Sequence, residues 1–180
     1  MNAMTPDNLR SAFGGESQAH MRYMIWGEAA EKEGFPNVNR LFQATAVAEQ
    51  VHATLHFKAL KDVAGSFTVI SGAGFGLSKT EQHLVDAIGG ETFEFEQMYP
   101  AYIAVAEMQG EKEAVRAMRF AVEAEKVHAV RFEEAKKAVK EGKDLNAEKI
   151  MLCPVCGYIT FEKEDACPIC HTKFDKFVAY

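Results

Sequence analysis

The chain has 180 residues, 48% of them hydrophobic, with a net charge of −6 and a pI near 5.6. That is enough for one sizeable core plus a small appendage. No basic run suggests nucleic acid, no cationic amphipathic helix suggests a membrane surface, and no apolar stretch approaches the length of a membrane span. The N-terminal MNAMTPDNLRSAFGG lacks the apolar region of a secretory signal, so a soluble cytoplasmic protein is expected.

The first 140 residues read as four long helices. The first runs from about Pro6 to Glu33, with Thr5 as N-cap and Pro6 at the first helical position. Gly34 stops it, and the short turn GFPN makes the second helix, about Asn37 to Asp62, its antiparallel neighbour. Residues 63–79 carry four glycines and no helical period, which fits a crossover running the length of a bundle. A third helix spans about Thr80 to Gln109, with irregularities expected at Gly89, Gly90 and Pro100. Gly110 turns the chain into a fourth, about Glu111 to Glu141. EGKDLNAEK reads as a linker to a cysteine-bearing module.

The pair Glu49-x-x-His52 returns as Glu125-x-x-His128. Spacings of three, four and seven place residues on one helix face. Glu49 and His52 share the stripe of Leu41, Thr45 and Ala48. Glu125 and His128 share that of Met118, Ala121 and Phe132. The same test puts Glu16 on the inner face of the first helix, and Glu91 and Glu94 on that of the third. Five unpartnered carboxylates in a core are prohibitively costly, so cations among them are the better explanation. One Glu from each of two helices with Glu-x-x-His from the other two is the ligand set of carboxylate-bridged dinuclear bundles. Iron or manganese suits these ligands, and zinc remains open. His56 lies on the same stripe and is expected to support the site or the core. His20 suits pocket lining or packing equally, and His83 is expected to be solvated.

All four cysteines fall in the last 30 residues, as Cys153-x-x-Cys156 and Cys167-x-x-Cys170. Such clustering indicates one tetrahedral metal site rather than a disulfide framework, holding either zinc or a single iron. Tyr158, Phe161, Phe174 and Phe177 are positioned to cover it.

The segments GESQAHMRY, EQVHA, GETFEFEQMYP and EAEKVH, with the paired cysteine knuckles, closely resemble the rubrerythrin family over essentially the whole chain. The resemblance implies an all-α ferritin-like four-helix bundle with a long crossover between helices 2 and 3, over residues 1–143. A small β-rich rubredoxin-like metal domain follows over 148–180. It implies two iron ions in a carboxylate-bridged site held by Glu16, Glu49, Glu91, Glu94, Glu125 and His128. His52 takes the place of Glu94 in the reduced state. One further iron, or zinc in isolated protein, is held by Cys153, Cys156, Cys167 and Cys170. Tyr23 and Tyr99 match tyrosines that hydrogen-bond the ligands, and Pro100 is expected to bend the third helix rather than end it. One departure is that His171, not glycine, follows Cys170. A left-handed histidine is tolerated at some cost, so the site is expected to survive.

The activity so implied is reduction of hydrogen peroxide to water, in oxidative-stress protection. Electrons come from rubredoxin or an NAD(P)H:rubredoxin-type reductase through the four-cysteine iron, with Glu94, His52, Tyr23 and Tyr99 in the catalytic set. A ferroxidase or iron-handling protein, and a non-enzymatic electron carrier, are the competing readings. Glu125 lies roughly 16 residues before its helix ends, about 24 Å at helical rise. The two sites of one chain are therefore expected to be far apart, and a head-to-tail homodimer, with helix exchange allowed by the long crossover, to bring them together.

Overall fold

The computed structural model describes residues 1, 4–60 and 63–180. Five α-helices build the larger part of it: α1 (Met4–Lys32), α2 (Pro36–Ala59), α3 (Thr80–Phe93), α4 (Tyr99–Met108) and α5 (Lys112–Lys140). A π-helical turn, Glu94–Met98, joins α3 to α4, so these form one interrupted helix. α1 packs along α2, and α3 and α4 pack along α5. This is the expected bundle of two hairpins with an irregular crossover between them. α2 was expected to reach Asp62; it ends at Ala59, and residues 61–62 lie outside the described part.

Two apolar halves fill the bundle. One gathers Tyr23, Trp26, Phe42, Leu84 and Phe132. The other gathers Leu9, Tyr99, Met118, Ala121 and Val122. Each helix switches from one half to the other where its charged residue falls. α1, for instance, runs from Leu9 and Ala12 through Glu16 to Ala19 and Tyr23. Glu16, Glu49, His52, His56, Glu91, Glu125 and His128 thus form a layer across the middle, each with no exposed surface. Removing this many charges from water costs several kcal/mol apiece unless they are compensated. The layer is therefore a functional feature held in place by apolar packing above and below.

The C-terminal module is a three-stranded antiparallel sheet of order β2-β1-β3, from β1 (Met151–Leu152), β2 (Ile159–Thr160) and β3 (Val178–Ala179). It docks on α2 and α5 through a segment that is not the free linker its composition suggests. Asp144 accepts hydrogen bonds from the backbone N–H of Asn37 (2.8 Å) and Val38 (3.2 Å). α2 begins after Phe35 with no side-chain cap of its own. A carboxylate from residue 144 thus supplies both the missing acceptor and the charge its N-terminus favours. Leu145, Ala147 and Ile150 enter the bundle core.

Three further expectations change. Thr5 lies inside the first turn of α1, where its N–H (3.1 Å) and hydroxyl (2.6 Å) both bond Gln109 Oε1, so the capping acceptor comes from the end of α4, 104 residues along the chain. His83 is buried rather than solvated. It stacks on Trp26 with centroids 4.9 Å apart and accepts the Ser78 N–H at 2.8 Å, tying the crossover down. Phe161 leaves the cysteine cover for the bundle face, with the Arg131 guanidinium 4.5 Å from its ring.

Candidate metal centre

The buried charged layer resolves into two four-residue sets whose donor atoms lie within 4.8 Å of one another. One is Glu16, Glu49, His52 and Glu125; the other is Glu49, Glu91, Glu125 and His128. Glu49 and Glu125 belong to both. Two cations held here would share those carboxylates as bridges, with Glu16 and His52 at one end and Glu91 and His128 at the other.

Hydrogen bonds outside the layer aim the imidazoles. His52 Nε2 lies 3.0 Å from the Cys156 carbonyl, and His128 Nε2 lies 2.9 Å from the Gly157 carbonyl. A carbonyl only accepts, so each Nε2 carries the proton and each Nδ1 turns inward. His52 Nδ1 then lies 2.7 Å from Glu125 Oε1, and His128 Nδ1 lies 2.7 Å from Glu125 Oε2. A lone pair that close to a carboxylate oxygen requires a cation between them, either a proton or a metal ion.

Burial, chiefly, and neighbouring carboxylates push Glu16, Glu91 and Glu94 well above the usual carboxylate range. Burial also acts on His52, but the Glu125 and Glu49 carboxylates outweigh it and raise the imidazole to about 10. His128 is raised for the same reason. Glu125 falls well below its usual range because the two imidazoles outweigh its own burial. Without metal, protons fill the cation positions. Even so, Glu16 Oε2, Glu49 Oε1 and Glu91 Oε2 are buried and accept no hydrogen bond. Orphaned acceptors pointing at a shared centre, four carboxylates and two imidazoles fit a carboxylate-bridged di-iron pair.

Tyrosines steady the terminal carboxylates. Tyr23 Oη donates to Glu91 Oε1, and Tyr99 Oη donates to Glu16 Oε1. Burial, then the adjacent carboxylate, holds both phenols protonated. His56 Nε2 lies 2.8 Å from Tyr99 Oη, behind the first ring of donors, as its position on the α2 stripe suggests. His20 is only partly buried and bonds the Ala46 carbonyl at 2.6 Å. Glu94 is in neither donor set. It opens the π turn, is partly exposed, and stands close enough to the cluster for Glu125 and Glu91 to raise it.

The repeated Glu-x-x-His pair is one half of an internal twofold pattern that extends to the other hairpin partners. GGES at 14–17 repeats as GGET at 89–92, and EQVHA at 49–53 as EKVHA at 125–129. Glu16 and Tyr23 are seven residues apart, whereas Glu91 and Tyr99 are eight apart. The π turn absorbs that one extra residue and returns Tyr99 to the place matching Tyr23. Tyr99 N–H bonds the Glu94 carbonyl five residues back, and Pro100 follows without a donor. The helix therefore continues through Pro100, as expected, and its irregularity is the π turn just before that proline.

The four thiol sulfurs converge within 4.8 Å. Cys153 and Cys170 are 3.5 Å apart, and Cys156 and Cys167 are 3.4 Å apart. In each knuckle the residue after the second cysteine turns left-handed, Gly157 at φ 80° and His171 at φ 62°. Each sends its N–H to the first cysteine's carbonyl at 3.0 Å. The expected tolerance of His171 is met, and the packing explains the asymmetry. A Cβ on Gly157 would collide with the His52 imidazole, whereas His171 is exposed. Four convergent thiolates fit one tetrahedral iron or zinc.

A family model described as Rubrerythrin matches residues 7–136. The chain belongs to the rubrerythrin family. It is 51% identical to Rubrerythrin-2 of Clostridium acetobutylicum over 99% of this chain and 98% of that one. It is 36% identical to Nigerythrin of Nitratidesulfovibrio vulgaris over 98% and 86% of the two chains. A solved structure described as the fully reduced, all-ferrous state of nigerythrin superimposes with a TM-score of 0.89. It is 34% identical and covers 100% of this chain and 88% of that one. A symerythrin from Cyanophora paradoxa, 20% identical with a TM-score of 0.59, shares the fold.

This rubrerythrin-family chain corrects one geometric expectation. Its two metal centres were expected to be far apart within one chain. Instead His52 and His128 touch the first cysteine knuckle of the same chain. The distance to the end of α5 was the wrong measure. After Gly142, at φ 72°, the chain reverses and lays the module back along α5, with Phe120 and Val127 packed against the cysteine cluster. Among the described residues no helix is long and apolar enough to cross a membrane.

Proposed function

We propose that this protein is a non-haem di-iron peroxidase, carrying out HOOH + 2 e⁻ + 2 H⁺ → 2 H₂O as a cytoplasmic defence against peroxide. The observation that carries the reading is the pair of donor sets sharing Glu49 and Glu125, with their imidazoles bonded directly to a four-cysteine knuckle. A reduced iron pair bound there supplies two electrons to one O–O bond.

The residues set the conditions for that transfer. His52 and His128 present Nδ1 inward because Cys156 and Gly157 hold their Nε2 protons. Tyr23 and Tyr99 fix the terminal carboxylates without giving up their own protons. Glu94, outside both donor sets yet beside them, would be the carboxylate available to replace His52 as a ligand when iron is bound. Cys153, Cys156, Cys167 and Cys170 would hold the iron that takes up single electrons from rubredoxin or an NAD(P)H:rubredoxin-type reductase, and the first knuckle abuts both imidazoles. Residues 1–143 act as the peroxide-reducing unit and 148–180 as the relay.

A homodimer remains part of the proposal on a different ground from distance. Ile70, Phe75 and Leu77 of the crossover are 84%, 95% and 74% exposed, and a second copy covering them removes that apolar surface from water. Light scattering measures it directly.

The deciding experiment is metal analysis and a visible spectrum of purified protein, followed by oxidation of the reduced form with one equivalent of hydrogen peroxide or of O₂. Two irons in the carboxylate cluster, a third in the four-cysteine site giving thiolate-to-iron bands, and faster oxidation by peroxide are expected. Uptake of iron far beyond those sites would favour the ferroxidase reading, and inertness to peroxide the electron-carrier reading.

A further inference from the structure

The carboxylate cluster is closed on most sides. Cys156 and Gly157 cover the imidazole edge. Tyr23, Phe42 and Phe132 fill the bundle on one side of the layer, and Tyr99 and Met118 on the other. The π turn is different. A cavity of about 410 Å³ lies there between α1, the crossover and the end of α3, with Glu94, Gly15, Gly90, Arg22, Ser71 and Gly72 in its wall. Four further cavities among the described residues contain none of the cluster residues.

Glycines keep this passage open. Gly15 and Gly90 sit inside helices at ordinary helical φ, where glycine costs about 1 kcal/mol relative to alanine and no backbone need justifies it. The space they leave has an evident use. A Cβ on Gly15 would stand 3.2 Å from Ser71 Oγ and 3.9 Å from Glu94 Oε1. A Cβ on Gly90 would stand 3.5 Å from Arg22 Nη2 and 4.0 Å from Tyr23 Oη. At Gly15 the gap between the crossover and the Glu94 carboxylate is thus about the size of a methyl group. In the internal repeat the counterpart of Glu94 is Ala19, which is buried, so only one side of the cluster carries a carboxylate that reaches a cavity.

We propose that the cavity under the crossover is the binding antechamber and access route for a small peroxide. Gly15 forms its throat and Glu94 is the first cluster residue the peroxide meets. This rests on the peroxidase reading and deepens it. Hydrogen peroxide both donates and accepts hydrogen bonds, matching a carboxylate at the floor and Gln18, Arg22 and Ser71 in the wall. Electrons and substrate then use opposite faces of one centre. The thiolate knuckle lies against the imidazoles, and the peroxide comes in past Glu94.

Gly72 gives the cleanest test. It lines the cavity, has no positive φ, and a Cβ there would meet nothing within 4 Å, so Gly72→Phe adds bulk without forcing the backbone. Gly15→Ala narrows the throat while favouring the helix. Metal-loaded wild type and both variants would be treated with a carbodiimide and an amine, and Glu94 modification read by mass spectrometry against exposed Glu96. Separately, the reduced proteins would be mixed with one equivalent of hydrogen peroxide. At unchanged metal content, Gly72→Phe is expected to lower both Glu94 modification and the oxidation rate about tenfold, and Gly15→Ala severalfold. Unchanged Glu94 modification in both variants would overturn the route, and so would an unchanged oxidation rate where modification is blocked. If wild type ignores peroxide while Glu94 modification falls as expected, the peroxidase reading fails and the route stands for another small ligand.

Discussion

His56 Nε2 lies 2.8 Å from the Tyr99 hydroxyl, which itself donates to Glu16. Since the hydroxyl proton goes to Glu16, His56 is the donor in its own contact. Burial, with help from the His52 charge, lowers His56 to about 3, so it remains neutral across the working range. The internal repeat puts Phe132 where His56 would fall, with its ring 5.3 Å from Tyr23. His56→Phe therefore copies the other half of the site. Loss of one buried hydrogen bond should lower unfolding stability by about 1 kcal/mol, seen in chemical denaturation, with metal content unchanged. Tyr99→Phe removes the bond to the carboxylate itself and should weaken metal retention roughly 10- to 100-fold, as measured by chelator competition.

Asp144 joins the module to the bundle by capping α2 from 107 positions away in the chain. Asp144→Ala should cost about 1 kcal/mol, the usual value of an N-cap. Its more telling effect is on docking. Proteolysis between residues 141 and 150 should accelerate, and electron transfer from the four-cysteine iron to the cluster should slow, while the isolated spectra of both centres remain as in wild type.

Much of this was legible in the sequence, for reasons that differ by residue. The inward direction of Glu16, Glu49, Glu91 and Glu125 follows from helical periodicity, because a charged residue on an apolar stripe has nowhere else to go. The cysteine site follows from spacing. The π turn was hidden because an inserted residue shifts the period by only part of a turn; its trace in the sequence is the eight-residue spacing of Glu91 and Tyr99 against seven for Glu16 and Tyr23. The docking of the module was not legible at all, since Asp144, Arg40 and Gly157 make their decisive contacts with partners that no local pattern names.

The two knuckles should respond in opposite ways to exchange of their left-handed residues. His171 holds φ 62° on the surface, so His171→Gly relieves a conformation unfavourable to side chains and should stabilise the protein by roughly 1 kcal/mol. Gly157→Ala introduces both that strain and a collision with His52. It should destabilise the fold and displace the module from the cluster. Thermal unfolding of the metal-loaded proteins orders the three chains, with His171→Gly above wild type and Gly157→Ala below.

The metal-free protein should lose stability as pH rises, and the metal-loaded protein should not. Glu16, Glu91 and Glu94 have folded pKa values well above the unfolded carboxylate value, so the folded chain holds more protons than the unfolded one above about pH 4.5. Their unfavourable contribution grows as pH climbs from there. His52, raised to about 10, and His128 stabilise the fold fully only below the unfolded histidine value near 6.5, and that contribution too declines as pH rises. Both groups act in the same direction between about pH 5 and pH 8; the smaller set lowered by burial, His56 and His83, opposes them only up to the unfolded histidine value near 6.5, and Glu49 and Glu125, lowered by the imidazoles, oppose them below the window. Bound cations replace those protons, so acid instead releases metal and weakens the loaded form. Melting curves of the chelated and metal-loaded proteins between pH 5 and pH 8 should therefore diverge. The apo midpoint should fall and the loaded midpoint hold or rise, and parallel curves would show that protons and metal ions do not compete for the same carboxylates.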